Sequence, residues 1–258
     1  MAELIFIGTS SGKTSLNRFH SSFLISSSNY NLLLDAGDGI SKALLSQQIS
    51  YDVIDGILFS HLHPDHYTGL AALIVQMKMI ERKKILDVFI HSELVDVIRN
   101  FLIQSYLFPD RMGFEINYHR FKDNIKFKIK DDISFIPRQN SHLVSVSKLD
   151  DYKSQSFSSN SFLLNIDDKI VHYTSDVGEK KDLQLFSDYK VDCLISEITH
   201  INAEDIIYAA DKSEFQGQII LTHISDDDLN SLQKYILELP ASLKNRILIA
   251  SDGLKLKL

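Results

Sequence analysis

The segment His61-Leu62-His63-Pro64-Asp65-His66 places three imidazoles and a carboxylate within six consecutive positions. Few structural purposes need that arrangement, because buried polar side chains must be paired to offset their lost hydration. In an extended chain His61 and His63 point to one side, with Asp65 and His66 following on a turn. Imidazole and carboxylate together suit zinc, manganese or iron, and so dense a group can serve two neighbouring ions. The flanks set its context. Residues 54–60 read as a buried strand, and 67–80 carry helical periodicity that opens near Gly69. The cluster therefore sits where a strand stops, the usual place for a site in an α/β fold.

Such a cluster needs partners from elsewhere in the chain. Among the ten histidines, His142 and His223 stand in suggestive settings. His142 follows Phe135-Ile136-Pro137 and opens a polar loop, and His223 closes Gln218-Ile219-Ile220-Leu221-Thr222. Asp176 closes Ile170-Val171-His172-Tyr173-Thr174-Ser175 in the same way. Taken singly, each is equally an ordinary loop residue.

Taken in order with the cluster, these residues resemble the pattern of the metallo-β-lactamase superfamily. The resemblance begins at Leu4-Ile5-Phe6-Ile7-Gly8-Thr9, runs through Leu32-Leu33-Leu34-Asp35-Ala36-Gly37-Asp38-Gly39, and ends at Ile249-Ala250-Ser251-Asp252-Gly253. It implies an α/β fold in four layers, an αββα sandwich of two mixed sheets flanked by helices, formed by one domain over residues 1–258. It also implies two divalent ions, zinc first and manganese or iron as substitutes. By the resemblance His61, His63 and His142 hold one ion, Asp65, His66 and His223 hold the other, and Asp176 bridges them. Asp65 counts among the catalytic residues as well. Asp35 matches the family's buried aspartate, which orients an imidazole from behind.

Ile195-Ser196-Glu197-Ile198-Thr199-His200 looks like the ribonuclease Z branch, which also contains cyclic phosphodiesterases. In that branch a Glu in a His-Glu-Ala-Thr motif and a His before a helix assist catalysis. Here Ser196 and Ile198 replace the motif's His and Ala, while Glu197 and Thr199 are kept. The resemblance implies a binuclear phosphodiesterase: a hydroxide shared by the ions attacks phosphorus, and His200, polarised by Glu197, protonates the leaving oxygen. Two departures bear on the substrate. Bacterial ribonuclease Z carries a Gly/Pro-rich tRNA arm between the ligands matching His142 and Asp176, whereas this chain has 33 residues there with neither Gly nor Pro. The branch's Pro-x-Lys-x-Arg-Asn loop is altered to Thr14-Ser15-Leu16-Asn17-Arg18-Phe19. A tRNA 3′-processing endonuclease without its arm thus remains an alternative, as does hydrolysis of a lactone, ester or thioester. Arg18 and His20 are candidates for contact with a substrate phosphate.

Composition removes several rivals. No apolar run approaches the roughly 18 residues a membrane helix needs. The N-terminus enters Leu4-Ile5-Phe6-Ile7 without a basic flank or export pattern, and Cys193 is the only cysteine, so a cytoplasmic setting is expected. A net charge of −7 argues against broad electrostatic capture of nucleic acid. The partner expected is a small hydrolysable phosphodiester, and a homodimer is left open. Lys122, Lys126, Lys128 and Lys130 alternate with Phe and Ile as on an exposed strand edge. Gly8-Thr9-Ser10-Ser11-Gly12-Lys13-Thr14 imitates a phosphate-binding loop, but it has three residues between its glycines where that motif needs four. An oxygen-reducing diiron role would want a carboxylate in place of one cluster imidazole. Strand periodicity falls at 3–8, 22–26, 31–35, 54–60, 86–91, 115–120, 125–129, 133–137, 161–166, 169–174, 191–196, 218–223 and 246–250. Helical periodicity falls at 39–48, 67–80, 92–106, 180–187, 202–213 and 226–238, and the serine-rich stretch 147–160 reads as a mobile loop.

Overall fold

The computed structural model describes every residue except Met1, Lys153 and Glu214. The first half of the chain builds β1 (Glu3–Gly8), β2 (Ser22–Ser26), β3 (Asn31–Leu34), α1 (Ile40–Ser46), β4 (Gly56–Leu58), α2 (Pro64–Tyr67), α3 (Gly69–Met79), β5 (Leu86–His91), α4 (Val95–Gln104) and β6 (Ile116–Phe121). The second half builds β7 (Phe127–Lys128), β8 (Ile133–Gln139), β9 (Asn160–Ile166), β10 (Lys169–Tyr173), β11 (Cys193–Glu197), α5 (Ala203–Lys212), β12 (Gln218–Thr222), α6 (Asp226–Glu238), α7 (Ala241–Lys244), β13 (Ile247–Ile249) and β14 (Lys255–Lys257). The strands form two seven-stranded sheets, ordered β14-β1-β2-β3-β4-β5-β6 and β13-β12-β11-β10-β9-β8-β7.

Strand alternation produces the layers. In β1, Leu4 and Phe6 face the second sheet, while Ile5 and Ile7 face the helices. Between the sheets, Phe6, Phe23, Leu58 and Phe89 meet Phe135, Phe162, Val171 and Ile195. The outer face of the first sheet packs on Ala43 and Leu44 of α1, Leu73 and Met77 of α3, and Ile98 of α4. The outer face of the second sheet packs Leu194, Ile219 and Leu221 on Ile206 of α5 and Leu232 of α6. This is the αββα sandwich, with strands hydrophobic on both faces because both are covered.

The differences from the periodicity have physical reasons. Helix α6 spans the expected 226–238, opened by Ser225, whose side chain accepts from the Asp227 amide. Residues 180–187 do not form an α-helix; a 3-10 turn covers Lys180–Gln184 and is fixed by a capping box between Glu179 and Asp182. Strand β14 escapes the pattern because Lys255 and Lys257 flank one leucine, yet it pairs antiparallel with β1 through Glu3↔Lys257. The stretch 147–160 holds short 3-10 turns at Val146–Lys148 and Asp150–Tyr152, and Ser158 to Asn160 are buried at the start of β9. Lys153 within that stretch lies outside the described residues.

Parallel strands β3, β4, β5 and β6 end at one rim of the first sheet, and β10, β11 and β12 end together in the second. At that rim the chain after β3 is locked against the chain after β4. The Ala36 amide donates to His66 O at 2.7 Å, and the Gly69 amide donates to Ala36 O at 3.0 Å. Contact is so close that a Cβ on Gly69 would stand 2.1 Å from Gly37 O, and one on Gly37 would stand 2.1 Å from Asp65 O. Ordinary helix propensity favours alanine over glycine by roughly 1 kcal/mol. Here the contact outweighs it: Gly69→Ala is expected to lower unfolding stability by about 1–3 kcal/mol in a urea titration, as over-packing does. Unchanged or raised stability would show that the two segments are not locked.

Candidate metal centre

Asp35 and the seven ligand candidates from the sequence stand beyond strand ends on this rim. Asp35 follows β3, the His61–His66 segment follows β4, His142 follows β8, Asp176 follows β10, and His223 follows β12. Three of the turning residues, Asp35 (φ 58°), Ser175 (φ 52°) and His223 (φ 56°), take the left-handed conformation that non-glycine residues seldom adopt. Backbone strain of this kind gathers where surrounding packing over-determines a functional turn.

The seven residues fall into two groups that share Asp176: His61, His63, His142 and Asp176, and Asp65, His66, Asp176 and His223. One ligand atom from each residue of a group lies within 4.8 Å of all the others. In the first, His142 Nε2 is 3.0 Å from His63 Nδ1 and 3.8 Å from Asp176 Oδ2. In the second, His223 Nε2 is 3.1 Å from Asp65 Oδ2, and His66 Nε2 is 3.2 Å from Asp176 Oδ1. Behind them, Asp35 accepts from the Ser60 amide and hydroxyl, both at 2.8 Å, and lies 2.9 Å from His66 Nδ1 and 3.1 Å from the Tyr173 hydroxyl. That leaves the opposite nitrogen of His66 turned toward Asp176. Thr199 Oγ1 does the corresponding service for His223 Nδ1 at 3.1 Å.

The donor set fits a divalent cation. Among the described residues His61 Nε2 is buried without a hydrogen-bond partner, and His66 Nε2 and Asp176 Oδ1 are buried with only ion-pair contacts, the nearest their own at 3.2 Å, a costly state in a protein interior. Burial, with His66 next door, holds the His61 imidazole well below its ordinary value. Burial also lowers His63, and it takes His142 down to about 4, so these rings keep a free lone pair. Burial works against ionisation of Asp65 and Asp176, but neighbouring histidines win. Asp65 is held at about 2, chiefly by the His223 hydrogen bond, and Asp176 lies well below the usual carboxylate range through His223 and His66. Burial likewise opposes a charge on His66, and Asp176 with Asp35 overcomes it, raising that imidazole well above its ordinary value. The carboxylates thus demand positive charge, and a divalent cation meets that demand while leaving His66 neutral as a ligand.

Beside the cluster, His200 Nδ1 lies 3.1 Å from Glu197 Oε1 and 4.0 Å from Asp176 Oδ2. Glu197 is buried, and its other oxygen accepts from the amides of Thr199 and His200, at 2.6 and 2.9 Å. The Glu197 hydrogen bond raises the His200 pKa against burial. Arg18 and His20 belong to neither group. Arg18 donates to Thr9 Oγ1 and Ala250 O at 2.5 and 2.8 Å, and His20 Nδ1 lies 2.9 Å from Ser11 O.

Asp182 is the residue that sequence reasoning missed. Its Oδ2 accepts from the Ser141 amide (3.0 Å) and hydroxyl (2.6 Å), and from the amides of Gly178 (3.0 Å) and Glu179 (3.2 Å). One buried carboxylate thereby ties the loop bearing His142 to the loop bearing Asp176. The Glu179-x-x-Asp182 spacing, read as a capping box, was the available signal.

With this geometry in hand, comparison with known proteins defines the class. In Saccharolobus solfataricus, a ribonuclease Z is 29% identical over 147 residues, covering 57% of this chain and 44% of its own length. The chain spans less than half the length of the curated relatives it matches. The metallo-β-lactamase fold protein YhfI from Bacillus subtilis superposes with a TM-score of 0.73 at 19% identity, covering 99% of this chain and 98% of its own. A diphosphatase from the PhnP family superposes with a TM-score of 0.70 at 18% identity, covering 100% and 98%. The chain has the metallo-β-lactamase fold, and over somewhat more than half of its length its sequence is similar to ribonuclease Z. A family model described as anti-Pycsar protein Apyc1 matches residues 2–238, and the chain belongs to that family.

The Asp182 clasp makes a measurable claim. Replacing it by alanine leaves buried donors unpaired at 1–3 kcal/mol for a group of this kind, so Asp182→Ala is expected to lose about 2–4 kcal/mol of stability. In equilibrium dialysis against zinc, the same variant should hold the cation at least about ten-fold more weakly, the loss typical of residues supporting a ligand from behind. Wild-type zinc retention would show that the two loops hold their positions without it.

Proposed function

We propose that this protein is a phosphodiesterase that uses two divalent cations, zinc by preference, on a single domain spanning 1–258 and in a cytoplasmic setting. The observation that carries the reading is the pair of histidine groups sharing Asp176, with the His200–Glu197 pair within reach of the same carboxylate. The relatives' names, a ribonuclease and a diphosphatase, support chemistry at phosphorus. We extend the family's anti-Pycsar designation to this chain as part of the same proposal. No helix among the described residues is long and apolar enough to cross a membrane.

His61, His63 and His142 would hold one cation, and Asp65, His66 and His223 the other, with Asp176 between them. When bound, such ions supply positive charge at phosphoryl oxygens and lower the pKa of water. The chain's own groups do the rest. Asp65, kept ionised, orients the nucleophile's proton. Asp35 fixes the ring of His66, and Thr199 fixes that of His223. Glu197 takes the Nδ1 proton of His200 as a hydrogen bond, which leaves Nε2–H free to protonate the departing alkoxide. Of the two candidates for substrate contact we favour His20, which packs against Gly37 beside Asp65, over Arg18, whose guanidinium is already engaged.

Elemental analysis of the purified protein is expected to find about two divalent ions per chain, and chelation should abolish turnover that zinc or manganese restores. Across a panel of cyclic nucleotides, alkyl phosphodiesters, lactones and a tRNA precursor, the phosphodiesters should be the substrates. A preference for lactones would overturn the reading. Within the phosphodiesters, His200→Ala should slow alkyl leaving groups by about 10²–10³-fold, in the range of general-acid effects. Bis-p-nitrophenyl phosphate, whose leaving group needs little protonation, should be affected far less. Equal losses on both would remove His200 from the acid role.

A further inference from the structure

Away from the histidine cluster, a cavity of about 380 Å³ opens on the outer face of the second sheet, between the segment following Asp182 and the C-terminal end of α5. That volume is within the range of small-molecule sites, roughly 300–1,000 Å³. We propose that it binds a small, uncharged, planar aromatic compound that carries a hydrogen-bonding edge.

The walls argue for a flat ring. Phe186, Tyr189 and Phe215 line the space with the aliphatic Leu194 and Ala209. Aromatic walls favour edge-on or offset contact with another ring. Two of these walls are braced: the Arg138 guanidinium lies 4.8 Å from the Phe186 centroid and 5.5 Å from that of Tyr189, and Asp188 holds it through bonds of 2.8 and 2.9 Å. The cleft is therefore built in advance of any ligand, and preorganisation of this kind favours binding.

The wall residue His172 argues for a polar edge. His172, on β10, directs its ring away from the inter-sheet core and meets Phe186 edge-on at 5.0 Å. It is 4% exposed, and its Nε2 is buried without a partner among the described residues. A phenylalanine here would fill the same space without the roughly 1–3 kcal/mol that an unpaired buried nitrogen costs. A compound in the cavity supplies the partner the fold omits. Burial, aided by Arg138, takes this imidazole down to about 3, so it stays neutral, with one N–H and one lone pair to offer. A neutral ring calls for an uncharged partner.

The chain has no tryptophan, so the fluorescence of 7-azaindole, which carries both a donor and an acceptor, can be read without tryptophan background. Titration of the full chain should show saturable, one-to-one binding. Ser187→Phe, at an exposed position on the cavity wall, and Ala209→Phe, from the opposite side, should abolish it. His172→Phe should weaken it about ten-fold, as loss of one hydrogen bond does. Thermal melts of all three variants separate site loss from unfolding. The His61→Ala variant should bind as wild type, which keeps this result independent of the metal centre. Absence of saturable binding to the wild type overturns the proposal. So does binding that survives Ser187→Phe, is unaffected by His172→Phe, or disappears in His61→Ala.

Discussion

Asp176 is the constraint on which the site's architecture turns. Its carboxylate is buried between two groups of imidazoles, and among the described residues Oδ1 has only the ion-pair contacts of His66 and His223, at 3.2 and 3.5 Å. Ionised oxygen in such a place is tolerated only when positive charge lies close by. The surrounding strand ends therefore converge on one point, and the features that bring them there follow from that requirement. These are the left-handed turns at Asp35, Ser175 and His223, the glycine contact between Gly37 and Gly69, and the Asp182 clasp.

The support beneath the cluster is distributed between the sheets. Asp35 and Ser60 come from the first sheet, while Tyr173, whose hydroxyl meets Asp35, comes from the second. The inter-sheet core of phenylalanines ends directly under this polar layer. Phe23 stacks edge-on against Tyr173 at 5.0 Å, so apolar packing and the polar network meet at one side chain. Any shift of one sheet against the other would break hydrogen bonds at the rim. Close packing below and directional bonds above reinforce each other.

Legibility in the sequence varied with how local the cause was. Helix α6 could be placed at both ends because its cap and apolar stripe lie within its own residues. The cluster from His61 to His66 announced itself through unusual density, His142, Asp176 and His223 through apolar runs that stop at a ligand type, and Asp35 only through the family resemblance. The 3-10 turn at Lys180–Gln184 was mistaken for an α-helix because its apolar spacing suits either form, and the Glu179–Asp182 capping box fixes the turn. Strand β14 was missed because a three-residue edge strand has no period to read; its partner β1 lies at the other end of the chain.

By itself, the sequence determined which atoms could serve as ligands, which residues would be buried, and that strands and helices would alternate in a layered α/β fold. Those are properties of side-chain chemistry and of short-range periodicity. Only the tertiary structure decided that Asp176 stands between both groups, that His200 leans on Glu197 beside them, and that Asp182 ties two loops together. It alone put Phe186, Tyr189 and Phe215 around His172. The reason is physical: those relations are distances between segments far apart along the chain, set by how two sheets stack and where their strands end.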